Sequence, residues 1–472
     1  MDRIVGPRRN LRQSMRLRPL TDVGLAVFVW GVCASLAMPA SAAPSAWRFE
    51  VTTDRALETV TATLCVENRE KSSDKPVVLA PMMREARPNL RWARAPGTRR
   101  SLMIAEGEIQ LGPTGCVVYQ VALAEGELSR RVGADVTLAP DAFLWLSRPM
   151  PDNAKLSIHF VLPPGIRATV PWAGEVPDPS LFDEPSRMVL GTTEPVTIGP
   201  IEAVFLGGTR RPGTERWIER AQSAAATLAE PLPARVLAII EVVKASPGSD
   251  PVVFGASLRG GGAAVELLLA RNAKDEALAE EWVLVHELSH FALPLLAKGG
   301  SWLGEGLASY HQNVLRARGE MLTVREAWKR LNDGFARGRR DANCAGLTLA
   351  QASAKMHAKR CFHRVYWGGA AVVFLADVEL RRRGSSLDEA IAGLPDLGPR
   401  PEAIVLARAL GFETLAEEAL GATVQLDVSH VFEALGVVIR EGEVRIDPNA
   451  PDAGIARAIV SPLQRAPGER HR

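Results

Sequence analysis

Two short stretches, HELSH at residues 286–290 and WLGEGLASY at residues 302–310, decide how this chain is interpreted. Residues four apart lie on one face of a helix, so His286 and His290 can offer imidazole nitrogens to one metal ion. Glu305 in the second stretch can supply a third, oxygen ligand. Such a set leaves a fourth tetrahedral position open, as in catalytic zinc sites. We therefore predict one zinc ion per chain, with Glu287 beside the open position as general base.

The sequence around this pattern favours a metal site over a chance match on a solvated helix face. Residues 277–285 are strong helix formers with apolar positions at a helical period, so we expect the helix to begin there. Pro294 and Gly299-Gly300 end that helix and allow the chain to reverse its direction. Glu305 then lies in an apolar run of small residues, where an unpaired buried charge would be costly.

The first 42 residues have the pattern of a signal peptide. Six arginines precede an apolar run at 23–38, and the small residues at 40–43 provide a cleavage site. No later run resembles a membrane span. We therefore expect a bacterial protein that is periplasmic or secreted, with no stable membrane span once the signal is removed.

The net charge of the chain indicates which class of molecule it binds. The whole chain carries a formal charge of +2, but the leader holds six Arg and two Asp, which leaves about −2 for the rest. No stripe of Lys and Arg with interleaved aromatic residues indicates nucleic acid. The expected partner is a peptide or protein substrate. The oligomeric state is not indicated by the sequence.

Cysteine usage agrees with export. Four cysteines follow the leader: Cys65, Cys116, Cys344 and Cys361. An even number in an exported chain favours two disulfides. Proximity in sequence favours Cys65–Cys116 and Cys344–Cys361, although three pairings are possible and four buried thiols are the alternative.

The periodicity of the apolar residues and the turn-forming residues between them predict an α+β chain with two domains. Residues 45–205 show short alternating runs separated by Gly, Pro, Asn and Asp, which indicate an antiparallel, β-sandwich-like domain. Residues 214–445 begin with a helix and three apolar runs, interpreted as a small sheet, and are then mainly helical. Capping boxes are predicted at Thr323, Ser386 and Thr414. Residues 446–472 are expected to be a C-terminal tail that is partly disordered.

The catalytic half resembles the gluzincin, or thermolysin-like, zinc metallopeptidases. The likeness is greatest to the glycyl-aminopeptidase type, with the aminopeptidase N family as a more distant relative. It is carried by the two stretches above and by VYWGGA at 365–370, LADVELR at 375–381 and SLD at 386–388, and it spans about 282–390. The resemblance implies a β domain followed by a thermolysin-like domain, a small sheet with a helical bundle.

The resemblance also assigns roles to residues. It implies that His286, His290 and Glu305 bind zinc and that Glu287 activates water. It implies that Tyr366 donates a hydrogen bond to the oxyanion of the tetrahedral intermediate. The activity expected on this basis is zinc-dependent hydrolysis of peptide bonds.

A peptide substrate would pair with an edge strand of the sheet through its main chain. We assign that edge to residues 263–269, and the substrate-binding candidates are Gly255, Ala256, Ala263 and Val265. The stretch GASLRGG at 255–261 lacks the glutamate with which the relatives hold a free amino group, and the spacer 291–304 is shorter than theirs. An aminopeptidase therefore stays one possibility. The alternative is a gluzincin-fold binding protein that is inactive or hydrolyses a non-peptide substrate.

Overall fold

The computed structural model describes residues 45–462, except 68–76, 100, 103, 113, 149, 152–153, 178, 183, 209, 229 and 247. The expected signal peptide and residues 463–472 of the expected tail lie outside this range. The architecture is α+β, with a β-rich N-terminal region and a mainly helical C-terminal region, as predicted. Within the described range no helix is long and apolar enough to cross a membrane.

The N-terminal region consists of three sheets packed around one core. Its strands are β1 (Ala46–Thr53), β2 (Thr59–Glu67), β3 (Val78–Pro81), β4 (Leu90–Arg94), β5 (Ile104–Ala105), β6 (Glu108–Gln110), β7 (Cys116–Ala122), β8 (Ser129–Val132), β9 (Asp135–Leu138), β10 (Trp145–Ser147), β11 (Lys155–Phe160), β12 (Arg167–Thr169) and β13 (Met188–Gly191). The sheet orders are β11-β1-β2-β7-β4, β10-β3-β6-β5 and β12-β13-β9-β8. Pairing is mainly antiparallel, as the alternation predicted, although β1 and β11 pair in parallel. The core is built on Trp47, Phe49, Tyr119 and Trp145.

A fourth sheet separates this region from the helices. It contains β14 (Val196–Ile198), β15 (Ile201–Leu206), β16 (Val236–Val243), β17 (Val252–Leu258) and β18 (Ala263–Ala270), in the order β14-β15-β16-β18-β17. The three apolar runs expected to form a sheet are β16, β17 and β18. β14 and nearly all of β15 precede residue 205, so strands from the expected N-terminal domain complete this sheet. The domain limits themselves stay a prediction.

The edge of the fourth sheet is β17, so the expectation that residues 263–269 form the edge strand was wrong. β18 pairs in parallel with β16 on one side and antiparallel with β17 on the other. The reason is the hairpin at residues 259–262, which folds β17 back along β18 and leaves β17 outermost. Gly261 has a φ of +78°, and a Cβ there would lie 2.8 Å from the Trp172 ring, so this turn requires glycine.

The C-terminal region is mainly helical. Its elements are α1 (Pro212–Ala225), α2 (Asp275–Leu278), α3 (Val283–Ser289), α4 (Ser301–Arg318), α5 (Val324–Arg340), α6 (Leu349–Lys359), α7 (Phe362–Arg382), α8 (Leu387–Ala392), α9 (Ala403–Ala409), α10 (Glu413–Gly421), α11 (Ser429–Ala434), the hairpin β19 (Val437–Arg440) and β20 (Glu443–Ile446), and α12 (Ala453–Val460). α12 lies in the expected tail, yet its Ile459 and Val460 are buried in the helical core.

The helix ends predicted from the sequence are found at some positions and not at others. The capping box at Thr323 forms, and the Ser386 hydroxyl accepts a hydrogen bond from the Glu389 N–H. Thr414 lies inside α10, so a cap there was wrong. The helix expected from residue 277 is interrupted, because the Glu281 carboxylate accepts hydrogen bonds from the N–H groups of residues 282 and 283 and starts α3 there.

Both favoured disulfides are present. Cys65 and Cys116 face each other on β2 and β7, with their Cα atoms 4.1 Å apart. Cys344 and Cys361 connect the segment before α6 to the start of α7. The second bridge therefore lies five residues ahead of Tyr366.

The helices α4 and α7 cross closely at a pair of glycines. A Cβ on Gly306 would lie 2.5 Å from the carbonyl carbon of Gly369, whereas a Cβ on Gly304 would lie 3.8 Å from Leu296. Only glycine at position 306 therefore permits this crossing, which holds Glu305 next to α7.

We expect Gly306→Ala to lower the free energy of unfolding by about 1–3 kcal/mol through overpacking. Gly304→Ala, two residues away on the same helix, should raise it by about 0.5–1 kcal/mol, since alanine loses less backbone entropy on folding. Denaturant unfolding of both variants measures the difference. Equal shifts of the same sign would contradict the close crossing.

Candidate metal centre

The three residues predicted as ligands converge. α3 carries His286, His290 follows its last residue, and α4 carries Glu305. The Oε2 atom of Glu305 lies 3.3 Å from Nε2 of His286 and 3.7 Å from Nε2 of His290. The three ligand atoms lie within 4.8 Å of one another. Two imidazole nitrogens and one carboxylate oxygen suit zinc, so the donor set fits the predicted ion.

The orientation of His286 is set by Gln312, which the sequence analysis did not single out. Nδ1 of His286 lies 2.8 Å from Oε1 of Gln312, an acceptor, so Nδ1 carries the proton and Nε2 is left to bind metal. Gln312 lies two turns after Glu305 on α4. The spacing of seven residues, which puts both side chains on one helix face, was the available signal.

We expect Gln312→Ala to weaken zinc binding by about 10–100-fold, because the imidazole loses the partner that fixes its tautomer. Gln312→Glu keeps an acceptor at this position and should retain the affinity. Competition with a chromophoric chelator measures both. An alanine variant with unchanged affinity would show that another group orients the ring.

Glu287 lies between the metal centre and the edge strand. Burial raises the pKa of its carboxyl group to about 7, and the backbone N–H of Ser257 donates to it. A Cβ on Gly255 would lie 2.9 Å from Oε1 of Glu287, so the edge strand leaves room for this carboxylate. A base with a pKa near neutrality, next to a strand that can pair with a peptide, is an arrangement suited to proton transfer.

Tyr366 lies on α7, next to His286 and Glu305. Its ring stacks on that of His286, with centroids 6.0 Å apart and planes 15° apart. Its hydroxyl donates a hydrogen bond to the carboxylate of Glu305. Burial opposes ionisation of Glu305, but the neighbouring imidazoles of His290 and His286 and the hydrogen bond from Tyr366 lower its pKa. Tyr366 therefore places a donor at the metal centre.

The substrate-binding candidates divide into two pairs. Gly255 and Ala256 lie on the edge strand β17 beside Glu287. Ala263 and Val265 lie on the inner strand β18, whose main-chain groups already pair with both neighbours, and Val265 is packed in the helical core. Ala263 and Val265 therefore belong to an inner strand, and the expectation that they lie on the edge strand was wrong.

No protein-family model and no curated protein sequence matches this chain. Solved structures do. An aminopeptidase N family protein from Idiomarina loihiensis superposes with a TM-score of 0.61 at 15% identity, over 84% of this chain and 79% of that one. The fold is that of the aminopeptidase N family. The M1 zinc metallopeptidase from Deinococcus radiodurans matches at a TM-score of 0.47 and 14% identity, over 81% of this chain and 94% of that one. Aminopeptidase A from Legionella pneumophila, in complex with aspartic acid, has a TM-score of 0.47 and 13% identity, over 80% and 49%.

Within this aminopeptidase N fold, three residues of the sequence signatures lie in a buried polar network. The hydroxyl of Tyr310 donates to Asp377 at 2.7 Å, and Arg318 donates to both carboxylate oxygens of Asp388 at 3.0 and 2.8 Å. Nε of Arg318 donates to the carbonyl of Ile459 at 2.9 Å. This network ties α4, α7, α8 and α12 together, which gives Tyr310 and Asp388 a structural role.

Arg259 secures the other end of the metal-binding segment. Its guanidinium donates to the carbonyls of His290 and Leu293 at 2.5 and 2.8 Å and lies 5.1 Å from the centroid of the Phe291 ring. A cation is favourable at the carboxyl end of a helix, where carbonyls lack partners. In this example of the aminopeptidase N fold, Arg259 therefore fixes the start of the short spacer that leads to α4.

Proposed function

We propose that this protein is an exported zinc-dependent peptidase in which Glu287 is the general base. The observation that carries the proposal is the convergence of the two Nε2 atoms and the Glu305 carboxylate, with a buried carboxylate of raised pKa beside them. Three protein ligands leave room for a water molecule or a substrate oxygen, which structural zinc sites do not.

Each residue of the site has a different role in hydrolysis. When bound, zinc supplies Lewis acidity that lowers the pKa of water and polarises a carbonyl group. Glu287 accepts the proton of the attacking water and passes it to the leaving amine. Tyr366 turns its hydroxyl toward the oxygen on which negative charge develops, a contribution of about 2.7–4 kcal/mol in other enzymes. The edge strand β17, at Gly255 and Ala256, pairs with the peptide main chain.

Export is supported by two features that are independent of the site. Disulfides persist in oxidising compartments, and two are formed among the residues that the structure describes. The first 42 residues have the charge and hydropathy pattern of a signal peptide. The protein would therefore act in the periplasm or outside the cell.

The end of the edge strand favours a second candidate, a binding protein or a hydrolase of non-peptide substrates. Leu258 and Arg259 lie in the stretch where aminopeptidase relatives place the glutamate that holds an amino group. Arg259 introduces a positive charge there, and like charges repel. Specificity for free amino termini is therefore the least supported part of the peptidase account.

The test combines metal analysis with a substrate panel. Purified mature protein should contain one zinc ion and should cleave peptides in a library until a chelator is added. The panel contains free-amino peptides, N-acetylated peptides and esters. Bound zinc without any turnover would identify a binding protein, and cleavage of esters alone would identify a non-peptide hydrolase. Protein that binds no zinc would refute the proposal.

A further inference from the structure

Tyr366 is the fifth residue of α7, so its position depends on how that helix begins. Its ring contacts the ring of Phe362, the first residue of the helix, edge to face with centroids 6.4 Å apart. The first N–H groups of a helix lack partners within the helix, and a terminal turn opens at little cost in free energy unless other groups hold it. Opening of this turn would break the ring contact and move the hydroxyl of Tyr366 away from Glu305.

The residue that caps α7 comes from the end of another helix. Cys361 precedes α7, but its side chain makes no capping hydrogen bond and its sulfur is bonded to Cys344. The cap is Asp341, which follows the last residue of α5. Its Oδ2 atom accepts a hydrogen bond from the N–H of Arg364 at 3.1 Å. Arg364 is the third residue of α7, where a capping side chain normally binds, and a carboxylate is favourable at this end of a helix.

Two further links tie the segment after α5 to the start of α7. Nδ2 of Asn343 donates to the carbonyl of Arg360 at 3.0 Å, and Cys344 is bonded to Cys361. Oδ1 of Asp341 accepts a hydrogen bond from the N–H of Asn343 at 3.0 Å, which connects the cap to these links. We call Asp341, Asn343 and Cys344 the clamp.

The clamp is anchored on α5, which packs closely on α7. A Cβ on Gly338 would lie 2.7 Å from the Cβ atom of Trp367, and a Cβ on Gly334 would overlap with the Trp367 ring. Trp367 follows Tyr366, so α5 contacts α7 at the turn that carries this tyrosine. The clamp therefore joins the start of α7 to a helix that is already fixed against it.

We propose that Asp341 is a positioning residue for hydrolysis, which caps α7 from the end of α5 and so keeps the hydroxyl of Tyr366 directed at the metal centre. The proposal rests on the peptidase function, in which Tyr366 stabilises the oxyanion. A donor is most effective when it is held in place before the reaction, since it then needs no reorganisation as charge develops. The disulfide acts in the same direction, because it keeps Cys361 next to the segment that Asp341 begins.

A double-mutant cycle tests whether Asp341 acts through Tyr366. Asp341→Ala should lower kcat for peptide hydrolysis by about 3–10-fold, the effect of a lost cap, and should change KM by less than about twofold. Asp341→Asn keeps an acceptor and should retain most of kcat. In a Tyr366→Phe background, which lacks the donor, Asp341→Ala should leave kcat unchanged. The same decrease in both backgrounds would overturn the proposal.

Asp427→Ala is the matched control. Asp427 also accepts a hydrogen bond from a backbone N–H at the start of a helix, that of Ser429 in α11. α11 carries no residue of the metal centre, so this variant should leave kcat unchanged in both backgrounds. A decrease equal to that of Asp341→Ala would show that the loss of any helix cap lowers kcat, which would also overturn the proposal.

Hydrogen exchange of the metal-free protein gives a readout that does not need turnover. In Asp341→Ala, amide protons of residues 364–367 should exchange about 3–10-fold faster, while those of residues 372–380, further along α7, should be unchanged. Parent protein that cleaves no peptide would refute the proposed function, and the exchange rates would still decide whether Asp341 holds the start of α7. Unchanged exchange at residues 364–367 would overturn the proposal.

The two disulfides provide a comparison that does not depend on substituting Asp341. Cys344→Ser combined with Cys361→Ser should lower kcat and speed exchange at residues 364–367, as Asp341→Ala does. Cys65→Ser combined with Cys116→Ser removes the bridge between β2 and β7 in the N-terminal region and should leave both quantities unchanged in folded protein. Equal effects of the two double variants would show that the clamp does not act on Tyr366 in particular.

Discussion

Glu287→Gln is expected to lower kcat for peptide hydrolysis by about 10²–10⁴-fold and to leave the zinc content unchanged. The amide has nearly the same shape as the carboxylate but cannot accept the proton of the attacking water. Glu287 itself does not belong to the converging ligand set of His286, His290 and Glu305. Steady-state kinetics together with metal analysis of the same preparation measures both parts of this result.

Two controls make that result specific to the base. Burial raises the pKa of Glu287 to about 7, so the neutral amide should be no less stable than the carboxylate in this position. The melting temperature of the metal-free variant should therefore match or exceed that of the metal-free parent protein. Glu276→Gln, on the exposed face of α2, should leave kcat unchanged. Retained turnover in Glu287→Gln would exclude it as the general base.

Asp388→Asn is expected to lower the free energy of unfolding by about 3–5 kcal/mol. Arg318 and Asp388 have side chains only 1% and 2% exposed, and their guanidinium and carboxylate are fully paired. Removing one charge leaves the other buried without a partner, which is strongly destabilising. Denaturant unfolding at neutral pH measures the loss.

The matched control is Glu413→Gln, which breaks the exposed surface pair of Arg408 and Glu413 and should leave the unfolding midpoint unchanged within error. The pH dependence gives a second check. Burial opposes ionisation of Asp388, but the hydrogen bonds and charge of Arg318 outweigh it and lower its pKa. Its contribution is therefore complete above the ordinary carboxyl pKa of about 3.8 and is lost as the pH falls below it. The deficit of Asp388→Asn should be full at pH 7 and should shrink as the pH falls through the lowered pKa of Asp388.

Local spacing predicted the parts of the metal centre that depend on one helix. His286 and His290 are four residues apart, which is enough to put both imidazoles on one face. Glu305 was found by its context, a single carboxylate in an apolar run. The two disulfides followed from proximity, because Cys344 and Cys361 bracket a short segment and Cys65 and Cys116 lie on neighbouring strands.

Features that depend on distant parts of the chain were not predicted. Strand order is set by which neighbours are free to pair, so β18 was taken for the edge although β16 and β17 cover both of its sides. The break before α3 arises because the carboxylate of Glu281 accepts hydrogen bonds from nearby backbone N–H groups. This alternative to a continuous helix cannot be recognised from a pattern of apolar positions. Tyr310 and Asp388, which helped to carry the family resemblance, are explained by a structural network that appears only once four helices are assembled.

The hydrogen bond from Arg318 to the carbonyl of Ile459 has a consequence for the motion of the C-terminal helix. Terminal segments commonly open by themselves at little cost in free energy. Detachment of α12 would withdraw an acceptor from a buried guanidinium, so α12 and α4 form one cooperative unit. Amide protons of α12 should then exchange with deuterium only through the rare, larger openings that also expose α4.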